Sequence, residues 1–217
     1  MTMKLQPNSK LLMIGDSITD AGRERPAGEG LFDALGKGYV AQVNALIGVA
    51  HPELGIRVVN MGNSGNTVRD LKHRWHADVI AQKPDWLSLC IGVNDVWRQY
   101  DLPWQKELHV YPKEYAETLE ALVVESLPLV KGMILMTPFY IEPNKNDAMR
   151  ATMDEYGEIV RKLAAKHGTL FVDTQAAFDE VLKTFYPATL SWDRVHPNPI
   201  GTMVIARAFL KTIEFEW

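Results

Sequence analysis

Apolar residues fall into two kinds of stretch along this chain, and the two kinds alternate. Leu11 to Ile14, Ile56 to Met61, Trp86 to Ile91, Gly132 to Met136 and Leu170 to Asp173 are short runs bounded by turn-forming residues, the pattern of strands buried on both faces of a parallel sheet. Between them the apolar positions recur three and four apart. Val40, Val43, Leu46 and Ile47 predict a helix from Tyr39 that Pro52 and Gly55 stop. Val68, Leu71, Trp75, Val79 and Ile80 predict a second over 68–82, ended by Pro84, and Tyr115, Leu119, Leu122 and Val123 a third over 113–127. Helices are also expected over 147–167, 176–185 and 199–213. The last opens with Pro199 near its first turn, where the missing amide hydrogen costs nothing. Gly22 to Gly38 has no apolar period and reads as a loop bordering a site, and 97–111 is an aromatic-rich segment. Strands alternating with helices argue for βαβ units with right-handed crossovers. The expected fold is α/β, a three-layer α/β/α sandwich on a parallel sheet of about five strands.

Composition narrows the class. A chain of 217 residues, 47% hydrophobic, can bury a sizeable core. No repeat, low-complexity tract or linker divides it, so one domain over 1–217 is expected. A net charge of −4 without any basic run speaks against nucleic acid as a partner. The single cysteine, Cys90, allows no intramolecular disulfide and sits in an apolar run, where a thiol behaves as a small hydrophobe. The first ten residues lack the apolar centre of a signal peptide, and no stretch approaches the ~18 apolar residues of a membrane span. A cytoplasmic protein with no membrane partner is expected.

Small or polar residues lie beyond the predicted strands. Ser17 follows the first strand, Gly65 the second and Asn94 the third, and Asp193-Arg194-Val195-His196 lies beyond the fifth. In an open parallel sheet these positions share the rim outside the carboxyl ends of the strands, where ligands bind. Taken singly, Asp16, Ser17 or Asn94-Asp95 reads as a helix cap, Gly65 as a turn and Asp193 with His196 as a solvated pair. Together they supply what acyl transfer by serine requires: a nucleophile, a base within reach, an acid that holds the base in one tautomer, and donors for the oxyanion. Ser17 is the candidate nucleophile and His196 the base, with Asp193, three residues earlier, accepting from its Nδ1. The amides of Ser17 and Gly65 and the carboxamide of Asn94 are the candidate oxyanion donors, Gly65 being read as a site of close backbone approach.

The stretches Gly15 to Thr19, Ser64 to Asn66, Gly92 to Asp95 and Asp193 to His196 resemble, in type and in chain order, the four signature blocks of the SGNH or GDSL-type hydrolase family. The resemblance spans Leu11 to His196. It implies a flavodoxin-like sheet, a Ser17-His196-Asp193 triad, an oxyanion hole of Ser17, Gly65 and Asn94, and no metal or organic cofactor. Gly65 to Asp70 and Asn94 to Arg98 are moreover similar to the bacterial acetyl xylan esterases of that family, which implies a small acetylated saccharide, such as a xylo-oligosaccharide, as substrate. A lysophospholipase or thioesterase, or a non-catalytic sugar-binding module in the same crevice, is the alternative.

Other residues invite a functional reading. Asp70, His73 and His76 have zinc-like spacing on a helix, but no fourth ligand is evident, and a solvated face is expected. Trp97, Tyr100, Trp104 and Trp192, with Tyr111, flank the Asn94 and Asp193 loops. They are candidates for binding sugar or for packing loops and a neighbouring subunit. The apolar tail Phe215-Glu216-Trp217 reads as docked within the chain or at an interface, and a homo-oligomer is expected.

Overall fold

The five apolar runs pair as their pattern predicts. The computed structural model describes residues 3–216. In chain order it holds β1 (Lys10–Gly15), α1 (Ser17–Asp20), α2 (Tyr39–Ala50), β2 (Arg57–Asn60), α3 (Val68–Trp75), β3 (Trp86–Cys90) and α4 (Val93–Asp101). There follow α5 (Pro112–Ser126), β4 (Gly132–Met136), α6 (Ala148–His167), β5 (Leu170–Val172), α7 (Thr174–Val181) and α8 (Pro199–Thr212). All strand pairs are parallel, in the order β2-β1-β3-β4-β5.

β1 lies inside the sheet, between β2 and β3, and beyond Lys10 it excludes water: Leu11, Leu12, Met13 and Ile14 are each fully buried, worth about 1.5–3 kcal/mol apiece. Leu12 pairs with Val59 on one side and Leu87 on the other. Helix α2 packs on α8 and α8 on α7, while α3 packs on α5 and α5 on α6, giving the three layers. Capping residues set several boundaries. Asp147 accepts from Arg150 N at the start of α6, Gly168 ends it at φ 67°, and Asn198 caps α8 ahead of Pro199. The helix expected over 68–82 is α3 followed by a π-helical turn, His76–Ile80, which keeps Val79 buried.

One segment differs from expectation, and one expected loop proves well ordered. The aromatic-rich stretch begins as a helix, α4, whose first turn buries Asn94 and Asp95 between Val93 and Val96. Residues 22–38 form no helix or strand but are far from loose. Arg23 is buried and donates through Nε to Gly62 O at 2.7 Å and through Nη1 to Glu24 O and Pro26 O, both at 2.8 Å. At the other end of the chain, Phe215 meets the His51 ring edge-on at 5.5 Å and His51 Nε2 donates to Glu216 O at 2.9 Å. Trp217 lies outside the described residues. Among those residues no helix is long and apolar enough to cross a membrane, and Cys90 is a buried free thiol.

Candidate active site

The strand order reverses direction between β1 and β3, and the rim outside the carboxyl ends of those strands, where an open α/β sheet binds its ligand, is the candidate crevice. Gly15 is required where β1 ends. A Cβ there would lie 2.2 Å from Cys90 O, so only glycine lets β1 stay paired to β3 up to the turn. Asp16 then caps α1, accepting from Ile18 N at 3.0 Å, which leaves Ser17 free of the capping task. Its Oγ lies 2.8 Å from His196 Nε2, and His196 Nδ1 lies 2.7 Å from Asp193 Oδ2.

The Asp193–His196 turn is organised by its own carboxylate. Asp193 Oδ1 accepts from Ser191 Oγ at 2.9 Å, Val195 N at 2.9 Å and His196 N at 2.7 Å. Burial by itself would raise the Asp193 pKa. The His196 side chain and the amide and hydroxyl donors outweigh it and hold the carboxyl at about 2. Arg194 takes the left-handed conformation, φ 64°, between the two. Its guanidinium pairs with Glu142 and its carbonyl accepts from Ile141 N at 2.9 Å, tying the turn to the loop after β4.

The candidate oxyanion donors lie at the start of α1, on the loop after β2 and in the first turn of α4. Among the described residues, neither Ser17 N nor Gly65 N donates to another protein group, so both amides remain available. Gly65 has φ 82°, and a Cβ there would meet nothing within 4 Å. Its glycine answers the left-handed turn, and no protein atom crowds the space in front of its amide. Asn94, 2% exposed, donates through Nδ2 to Asn66 O at 2.9 Å, which joins the Gly65 loop to α4 and leaves its second amide hydrogen unspent.

Three supporting residues escaped the sequence reading. Asp20 accepts from Ser64 N and Ser64 Oγ, both at 2.9 Å, and from Arg25 Nη2 at 2.7 Å, so it seats the residue before Gly65. Burial would raise its carboxyl, but Arg25 and Ser64 hold it below the ordinary value. Arg74 reaches back from α3 to Gly15 O at 2.9 Å, Met61 O at 2.7 Å and Asn66 Oδ1 at 2.6 Å, clamping the ends of β1 and β2 to that loop. Asp95 accepts from Val68 N at 3.0 Å, while its Oδ2 is buried without a partner among the described residues. Burial pushes the carboxyls of both Asp16 and Asp95 up to about 7. Asp20 sits in the same block as Ser17, three residues on, which was the available signal; Arg74 is one cation on a polar helix face and carried none.

The aromatic candidates divide. Trp97 meets the His196 ring edge-on at 5.8 Å. Trp104 and Trp192 are 90% and 88% exposed. Tyr100 spends its hydroxyl on α6, at 2.8 Å from Ala148 O and 2.6 Å from Thr152 Oγ1. Tyr111, half exposed, packs its ring against His109. His73 and His76 are exposed, and the Asp70 carboxylate is occupied by Thr67 N and Oγ1 in a capping box.

The model of the GDSL-like lipase/acylhydrolase family matches residues 13–203. An acetylxylan esterase from Geobacillus stearothermophilus is 67% identical over 215 residues, 99% of this chain and 98% of the relative. A crystal structure of an acetylxylan esterase from that organism superposes with a TM-score of 0.98 at 67% identity, over 99% of this chain and 98% of that one. An alpha/beta hydrolase enzyme from the metagenome of Lake Arreo, Spain, gives a TM-score of 0.97 at 56% identity, over 98% of each chain.

Proposed function

The chain belongs to the GDSL-like lipase/acylhydrolase family, and from that premise we propose that it is a serine esterase removing acetyl groups from short xylo-oligosaccharides. The observation that carries the reading is the unbroken line from Ser17 Oγ through His196 to Asp193, at 2.8 and 2.7 Å, at the mouth of the crevice. Structures of the Geobacillus stearothermophilus acetylxylan esterase with single alanine replacements, described as catalytic mutants, concern one serine, one histidine and one aspartate, the residue types that meet here.

In this mechanism Asp193 keeps the His196 proton on Nδ1, so Nε2 accepts the Ser17 proton as Oγ attacks the acetyl carbonyl. The tetrahedral oxyanion is received by Ser17 N, Gly65 N and the second Asn94 amide hydrogen. Collapse breaks the bond to the sugar oxygen, which leaves with the proton from His196. Water, deprotonated by the same imidazole, attacks the acetyl-enzyme, and acetate departs as the proton returns to Ser17. The exposed Trp104 and Trp192 and the Trp97 ring beside His196 suit pyranose faces presented from solvent.

The test is kcat/KM on acetylated xylobiose against butyryl, octanoyl and lysophospholipid esters, with Ser17→Ala as control. Acetyl sugars should lead, and the control should lose several orders of magnitude. A tenfold preference for the longer chains, about 1.4 kcal/mol of transition-state binding, would replace the carbohydrate reading with a lipase-like one.

A further inference from the structure

Asn94 is gripped at both ends of its carboxamide. Nδ2 donates to Asn66 O at 2.9 Å, and Oδ1 accepts from Arg98 Nη2 at 3.2 Å. The second grip follows from helix pitch, since Arg98 lies four residues on and therefore on the same face of α4. The guanidinium is fixed on two further sides. Its Nη1 pairs with Asp101, and its carbon lies 4.9 Å from the centroid of the Trp97 ring. The proposed reaction gives this arginine nothing to do, although it closes the Asn94 to Arg98 stretch singled out in the sequence.

We propose that Arg98 is a positioning residue that fixes the Asn94 carboxamide with its nitrogen toward the crevice and strengthens it as a hydrogen-bond donor. The inference rests on Asn94 being an oxyanion donor, as proposed above. A cation on the carboxamide oxygen draws electron density from the nitrogen, so the amide hydrogen not spent on Asn66 binds a forming negative charge more strongly. Asp101 balances the charge of the guanidinium. The effect is therefore local and directional, passing through one amide, and it should act on the transition state without tightening substrate binding.

A double-mutant cycle separates this role from others. Arg98→Met keeps an apolar stem against Trp97 and removes the donor; kcat and KM for an acetyl ester are measured in the wild type, Arg98→Met, Asn94→Ala and the double variant. Arg98→Met should lose about tenfold in kcat with KM unchanged, and Asn94→Ala about 10²–10³. The double variant should be no slower than Asn94→Ala, because a residue that works through Asn94 then has nothing to work on. A tenfold loss that persists in the Asn94→Ala background overturns the proposal, as does an unchanged kcat in Arg98→Met. An Asn94→Ala protein of undiminished kcat overturns the oxyanion reading itself and this inference with it. If Arg98→Met fails to fold, Arg98→Leu, which also lacks the donor, carries the same comparison.

Discussion

Asp193→Asn exchanges one oxygen for an NH2 group at the point where the histidine proton is held. Three of the four hydrogen bonds to Asp193 arrive on Oδ1, from Ser191 Oγ, Val195 N and His196 N, and an asparagine oxygen accepts all three. The fourth cannot survive: an amide nitrogen placed 2.7 Å from His196 Nδ1 donates where the carboxylate accepted. The imidazole must then carry its proton on Nε2, which turns the 2.8 Å contact with Ser17 into a bond from histidine to serine and removes the base. In a serine protease the same exchange costs about 10⁴ in kcat, equivalent to about 5 kcal/mol, and that magnitude is expected here. The assay is steady-state hydrolysis of 4-nitrophenyl acetate, with thermal melting at neutral pH to establish that the turn has kept its shape. Melting in acid gives an independent check. The folded Asp193 value, about 2, lies below the ordinary 3.8. Its stabilisation is complete above about pH 4 and lost as pH falls through about 2, a loss the variant should lack. A folded variant with kcat within tenfold of the wild type would refute the tautomer argument.

Asp95 should act in the opposite sense: burial lifts its carboxyl to about 7 from 3.8, so the folded state holds a proton the unfolded chain has released, and stability falls as pH rises between about 4 and 7. Asp95→Asn should therefore gain in melting temperature relative to the wild type on going from pH 4.5 to pH 8; a difference independent of pH would mean the carboxyl titrates normally. Two glycines should separate strain from collision. Gly65→Ala meets nothing within 4 Å at φ 82° and should cost about 1–2 kcal/mol, whereas Gly15→Ala drives a Cβ to 2.2 Å from Cys90 O and should destabilise by more and disturb Ser17. Equal losses in denaturant unfolding would contradict the geometry.

Much of this fold was legible because burial on both faces leaves continuous apolar runs, and all five strands lie where those runs are. Helix α4 was not, since its buried first turn contains Asn94 and Asp95, polar residues placed inward for the site, and these erase the period that reveals a helix. The Gly22 to Gly38 loop was recognised only by what it lacks; Arg23 holds it by bonding the Glu24 and Pro26 carbonyls of the loop itself and, 39 residues on, that of Gly62, a partner no local pattern announces. At the site, Ser17, Gly65 and Asn94 stood out because each comes soon after a strand, whereas Asp193 and His196 lie beyond α7 and stood out by their spacing on one turn. Asp20 and Arg74 act across gaps of 44 and 59 residues, on Ser64 and Gly15, and only the folded chain brings those partners together. Tyr100 shows the reverse: an aromatic placed near the crevice by sequence is turned to hold α6.

Ser17, the proposed nucleophile, follows β1, while its proposed base, His196, lies 179 residues further on. Between those points the chain must lay down β2 on one side of β1 and β3 on the other, add β4 and β5 at the far edge, and only then return to the crevice. A nascent or clipped chain ending before Asp193 could complete the sheet and still lack Asp193 and His196, the proposed acid and base. Hydrolysis is thus a late event in the life of the molecule. Recovery of turnover during refolding should trail the recovery of helical signal, making esterase activity a stringent clock for the closing of the whole chain.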